Sequence, residues 1–483
     1  MSGRHPRVAY FTPLQPVESG ISQYSEDLIP WLASAVALDV IVDGYTPTFG
    51  ATLKAARVRD ARGFSAGRYD ATIIQMGNSP AHNYMVPQAL ARPDVLVLHD
   101  IVLHHLMVWR AVQGRGGREM YRTEMRERYG EAVAAVAEQV LRGQNPTAMF
   151  DYPLNEDLIR AARYVVTHSP SSARWVRQLV PGAQATVVPM GVPVLPLGDQ
   201  ARARARLGIA PETFVVLSLG RVNPFKRMAA VFRALRRLTD MVPDMLLLIV
   251  GGDSPNYDVP RLARFAGIER YVRRLGYVPD DDLRDLFCAA NVCVNLRYPT
   301  AGETSAAVLR LMSAGLPTIV TDTGAFSDLP DDAVLKTPPD AFEGETLVAF
   351  LQALATRPAF GRAIGANARA FVQREHTMRR AAEGYLDVLA EAIGKPLPHD
   401  RITEPTVRLV DRAPRRPERL SGAGQSEASA SSAAPIYDDP LLAPIAQEIA
   451  DLGLADDATV VERTAQSLAE MRIGVPGKTR EKR

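Results

Sequence analysis

Residues 298–320 read YPTAGETSAAVLRLMSAGLPTIV. They follow the strand-like run NVCVNLR at 291–297 and enter a second run, LPTIVTD, at 316–322. Strand, glycine-bearing turn, apolar helix and second strand make a βαβ crossover, the unit of a parallel sheet buried on both faces.

The same rhythm extends in both directions. Upstream, TFVVLSLG (213–220) and MLLLIVGG (245–252) are strand-like, and helices are expected from Lys226, Pro260, Asp280 and Glu303. The first half repeats the pattern with RVAYFT (7–12), ALDVIVD (37–43), DATIIQM (70–76) and DVLVLHD (94–100). A mainly helical stretch, 102–164, interrupts it before YVVTHS and ATVVPMGV close the unit near residue 195. The fold class is therefore α/β, with two doubly wound, Rossmann-like domains in tandem, 1–195 and 196–375.

Residues 359–393 read as helix interrupted near His376, able to pack on either domain, and 376–395 are expected to pack back on the N-terminal one. From 396 to 436 the chain is rich in Arg, Pro, Ser, Gly and Ala, as in a disordered linker. Apolar spacings of three and four then suggest short amphipathic helices and a basic tail over 437–483. Those helices serve either as a docking element or as cover for apolar surface of the main body.

A chain of 483 residues exceeds the size of one ordinary core. Its 47% hydrophobic and 23% charged residues fit a soluble globular protein. The formal charge of +2 is too balanced to imply a nucleic-acid partner, so any anion site must be local. No run is apolar enough for a signal peptide or a membrane span, and a cytoplasmic protein is expected. Cys288 and Cys293 read as packing residues.

Four places could carry chemistry. Ser19 and Gly20 stand between a strand end and a helix, where free backbone N–H groups receive anions. His99 and Asp100 follow a strand at its carboxyl end. His104 and His105 lie close by, but their spacing does not suit a metal, and none is expected. In GRVNPFKR (220–227), Arg221 and Lys226 place two fixed positive charges after a strand, suited to a diphosphate. Finally, Thr304 and Ser305 are expected in the first turn of a helix, as anion ligands or as N-caps, with Glu303 able to hold sugar hydroxyls.

Two further patterns are set aside. Asp280, Asp281 and Asp282 follow a proline and read as a helix start. The arginines of 110–142 alternate with Glu119, Glu124, Glu127 and Glu131, as on a solvated face.

Taken together, SGISQYS, LHD, VVPMGV, GRVNPFKR, GYVPDDDLRDLF and AGETSAAVLRLMSAGLPTIVTD resemble the retaining glycosyltransferases of family 4 (glycosyl transferases group 1), which have the GT-B fold. The resemblance covers about residues 7–393. It implies an acceptor domain followed by a nucleotide-sugar donor domain. It implies that Gly20 approaches the donor phosphate or the acceptor and that His99 contacts the transferred sugar. Arg221 and Lys226 would bind the diphosphate, Glu303, Thr304 and Ser305 its sugar and phosphate end, and backbone near Tyr277 and Val278 the base.

The family usually has two glutamates separated by seven residues, the second of which holds the ribose, and here the intervening stretch is one residue shorter. The counterpart here is Arg310. The implied reaction is transfer from a donor of UDP or GDP type, with retention of configuration and without an essential metal. The acceptor would be a glycan, as in polysaccharide synthesis, or a lipid-linked one, with peripheral contact at the inner membrane face through the tail. The competing readings are a nucleotide-sugar epimerase, which needs acid and base carboxylates, and a non-catalytic GT-B scaffold that binds a nucleotide sugar.

Overall fold

The computed structural model describes residues 5–405, apart from 18, 49–53, 253, 255, 256 and 279. Most of the expected linker and the whole 437–483 segment thus lie outside the described residues.

The strands of the first half are β1 (Arg7–Phe11), β2 (Ala37–Val42), β3 (Arg57–Asp60), β4 (Ala71–Met76), β5 (Val95–Leu98), β6 (Tyr164–Thr167) and β7 (Ala185–Val187). Among the described residues they pair in parallel in the order β3-β2-β1-β4-β5-β6-β7. The second half supplies β8 (Phe214–Leu219), β9 (Met245–Val250), β10 (Val272–Gly276), β11 (Val292–Asn295), β12 (Thr318–Thr321) and β13 (Leu335–Thr337). Their order is β10-β9-β8-β11-β12-β13, again parallel. Central strands such as β4 and β11 are buried at every position, which is why they read as apolar runs without alternation.

Each order reverses once, between β1 and β4 and between β8 and β11. Such switch points open a crevice at the carboxyl ends of the strands.

One apolar core joins the halves. Val8, Tyr10 and Leu28 of the first half share it with Val308, Leu309 and Met312 of the second. The helix Met378–Ile393 begins after a break at His376 and Thr377, where Thr377 caps it by accepting from Arg380 N. It returns to the first sheet and buries Ala382, Tyr385, Leu386 and Leu389 there. Burial of each such large side chain stabilises by about 1.5–3 kcal/mol.

The packing extends further than the composition suggested. Residues 396–405, expected to open the linker, still lie on the first half. Leu397 and Ile402 enter its core, and Thr403 N donates to Ser34 Oγ at 3.2 Å. Two isolated apolar side chains anchor a stretch whose polar composition concealed them.

Candidate active site

The first loop after β1 forms as expected. Ser19 caps the helix Gly20–Leu32 by accepting from Ser22 N, and Gly20 is exposed at its start, with open space where a Cβ would stand.

His99 sits just past β5 and is almost fully buried. Its Nε2 lies 2.6 Å from Gln75 Oε1, and Gln75 Nε2 donates to Tyr385 Oη at 3.3 Å. The rings of Tyr24 and His168 flank it at 5.4 and 4.7 Å. Burial, followed by the charges of His168 and His82, holds the His99 imidazole well below its usual pKa. It is thus a neutral group that can orient a ligand. His168 is fixed through Nδ1, which donates to Val188 O at 2.9 Å. His104 Nε2 meets Tyr121 Oη at 2.7 Å and His105 Nδ1 meets Asn78 Nδ2 at 2.8 Å, so both rings are engaged locally.

Two expectations for GRVNPFKR need correction. The helix begins at Met228, because Pro224–Lys226 form a 3-10 turn and Arg227 takes a left-handed conformation with φ 56° while pairing with Glu343. Lys226 is therefore inside the turn, not at a helix start. Nor is its charge fixed. Burial, then the neighbouring Arg297, push its amine down to about 7, against a smaller upward pull from Glu303. Arg221 is exposed on the same turn, just past β8.

The 298–305 turn also differs in detail. Ser305 is the N-cap of the helix Ala306–Ser313, accepting from Val308 N at 3.3 Å, and Thr304 precedes it, so neither lies in the first turn. Glu303 accepts from Thr300 Oγ1 at 2.8 Å and pairs with Arg297. Burial would raise its pKa, but the Arg297 guanidinium outweighs this and the carboxyl stays below its usual value.

The two halves meet at this turn. Ile101 N and Val102 N donate to Ala301 O at 2.7 and 2.9 Å, and Ser172 Oγ donates to Gly302 O at 2.7 Å. Gly302 has φ +80°, and a Cβ on it would stand 2.7–2.9 Å from Ile101 and Trp175, so only glycine permits this approach. The contact brings Asp100 into the field of Glu303. Burial and that carboxylate raise the Asp100 carboxyl to about 7, although it accepts from Asn78 N at 2.7 Å.

Asn223 Oδ1 and Thr304 Oγ1, both on these loops, are buried without a hydrogen-bond partner. Tyr277 is exposed and Val278 half-buried just past β10. The helix Asp280–Ala289 starts at the acidic run.

Arg297 and Asn295 were not singled out from the sequence. A signal existed: Arg297 stands two residues past β11, as Arg221 stands two past β8. Arg310 lies on the helix beyond Glu303 and reaches Asp27 of the first half.

Two facing Rossmann-like sheets with polar residues at the carboxyl ends of both define the GT-B fold. Residues 213–355 match the family described as Glycosyl transferases group 1. The chain is 30% identical over 278 residues to the D-inositol 3-phosphate glycosyltransferase of Acidothermus cellulolyticus, a match covering 53% of this chain and 58% of that protein. Its matches span between 30% and 59% of the length of the curated relatives.

Solved structures share the fold. Sucrose-phosphate synthase from Thermosynechococcus elongatus superposes with a TM-score of 0.60 at 17% identity, over 80% of this chain and 99% of that one. Anabaena Alr3699/HepE, solved in complex with UDP and glucose, gives 0.55 at 15%, over 80% and 100%.

Proposed function

We propose that this chain is a glycosyltransferase that moves a sugar from a nucleotide diphosphate donor, of UDP or GDP type, to a glycan or lipid-linked acceptor with retention of configuration. The observation that carries this reading is the convergence of Lys226, Arg297, Glu303 and Asp100 where the carboxyl ends of the two sheets meet. The group 1 match over 213–355 supports it independently.

In this reading Lys226 and Arg221 receive the diphosphate, and the partnerless hydroxyl of Thr304 and the N-terminus of the Ser305-capped helix add donors. Placing positive charge where negative charge develops lowers the barrier to C–O cleavage without a metal, each such donor contributing roughly 10²–10³ in rate. Glu303, kept ionised by Arg297, holds sugar hydroxyls, and neutral His99 positions the ring from the opposite sheet. The leaving phosphate oxygen takes the acceptor's proton as the new glycosidic bond forms on the same face. Tyr277 and Val278 flank the base. No essential metal is required, because the charge is supplied by side chains.

The test is turnover. The full chain is incubated with UDP-, GDP- and ADP-sugars and a panel of glycan and inositol-type acceptors, and released nucleoside diphosphate is quantified. One donor should give product whose anomeric coupling by NMR equals that of the donor, and Glu303→Gln should abolish it. Lack of release with every donor, or an inverted product, overturns the proposal.

A further inference from the structure

Asn295 is the last residue of β11 and is 2% exposed, an amide among Val292, Cys293 and Val294. Burying an amide is costly unless both of its ends are bonded. Here both are. Nδ2 donates to Leu219 O at the end of β8 at 3.2 Å, and Oδ1 accepts from Lys226 Nζ at 3.2 Å. The orientation follows from these partners, since a flipped amide would set N–H against an ammonium and oxygen against a carbonyl oxygen.

We infer that Asn295 is a positioning residue for Lys226, holding its amine at the edge of β8 and β11 with a neutral acceptor that leaves its charge available to an incoming anionic diphosphate. The inference rests on the donor-site reading above.

The chemistry of the two residues explains the choice. A lysine amine on four methylenes is mobile, and one fixed acceptor removes much of that freedom. A carboxylate at 295 would hold the amine equally well but would neutralise it and compete with the ligand. An amide holds it and leaves two N–H donors for a ligand.

The groups facing the amine are Arg297, Glu303 and the Cys293 thiol, and burial acts on the amine itself. Because Asn295 contributes no charge, the amine stays near its titration midpoint at pH 7, and an incoming diphosphate shifts it to the charged form.

The test reads Lys226 without any ligand. The chain has six lysines, so trace acylation from pH 5.5 to 9.5 followed by peptide mass spectrometry resolves each one. Asn295→Asp should move the Lys226 midpoint up by more than about one pH unit, as an added opposite charge does. Asn295→Ala should weaken nucleoside diphosphate binding roughly tenfold, the effect of losing one bond to a charged group. In a Lys226→Met background the same change should cost nothing further. Asn295→Ser keeps a small polar group there and guards against a variant that fails to fold.

An unmoved Lys226 midpoint in Asn295→Asp overturns the inference. So does equal loss of binding from Asn295→Ala in both backgrounds. If Asn295→Asp moves the midpoint while the wild type binds no nucleoside diphosphate, the positioning stands and the donor-site reading falls.

Discussion

Arg310 Nη2 lies 3.0 Å from Asp27 Oδ2, and this ion pair ties the Ser305-capped helix of the second half to the Ser19-capped helix of the first. Both side chains are mostly buried, at 15% and 9% exposure. A second link parallels it, where Asp328 accepts from Ser171 N at 2.7 Å and Ser171 Oγ at 2.8 Å and pairs with Arg174. Arg310 therefore serves a contact between the halves.

Removing Arg310 leaves the Asp27 carboxylate in a buried place without that partner. Arg310→Met should cost about 3 kcal/mol. Denaturant unfolding measures this, and small-angle scattering should show a larger radius of gyration as the halves separate. The exchange of charges, Asp27→Arg with Arg310→Asp, should restore part of the loss, and an unchanged midpoint in the single variant would mean that the pair is idle.

Gly302→Ala tests the approach of the two halves more locally. The new Cβ meets Ile101 and Trp175, and φ +80° is itself strained for alanine. Overpacking of this kind costs about 1–3 kcal/mol. Hydrogen exchange at the Ile101 and Val102 amides, which bond Ala301, should quicken. Protection equal to wild type would refute the contact.

The pH dependence has a definite sign. Lys226 is depressed to about 7, so between pH 7 and 10.5 the unfolded chain holds a proton that the folded one lacks, and this group makes stability rise with pH there. Asp100 is raised to about 7, so its contribution is fully present below about 4 and is lost as pH rises to 7. Lys226→Met should therefore flatten the rise of the ligand-free Tm toward pH 9, while weakening nucleotide binding. Thermal melts across that range decide it, and a variant curve parallel to wild type would show that the amine is not depressed.

The Gln75 side chain joins His99 to Tyr385 of the returning C-terminal helix. Gln75→Leu leaves the buried His99 Nε2 without its partner, a loss of about 1–3 kcal/mol. Turnover should fall with it, because the imidazole is no longer held. Wild-type turnover and unfolding in this variant would remove His99 from the site.

Much of this architecture is legible in the sequence because parallel strands buried on both faces are mostly apolar, as β5 is throughout and β4, β8 and β11 are apart from Thr72, Gln75, Ser218 and Asn295. Ser19 and Gly20 are legible because a cap and a glycine mark a helix start within a few residues. What escaped depends on distance along the chain. Asp27 meets Arg310 from 283 residues away, and Tyr385 meets Gln75 from 310. Arg297 and Asn295 read as the tail of a strand until folding sets them beside Lys226 and Glu303. The helices expected from Lys226 and Glu303 begin two and three residues later, at Met228 and Ala306, because Arg227 turns left-handed and Ser305 caps from outside the helix.

The most direct measurement is thermal stabilisation of the full chain by UDP, GDP, ADP and their sugar conjugates, with magnesium and with chelator, for wild type and Lys226→Met. Ligand that binds only the folded state raises Tm by mass action. One nucleotide family should raise the wild-type Tm equally in both conditions and raise that of the variant far less. If no nucleotide raises it, or the variant is stabilised as much as wild type, Lys226 and its neighbours do not form a donor site and the account is wrong.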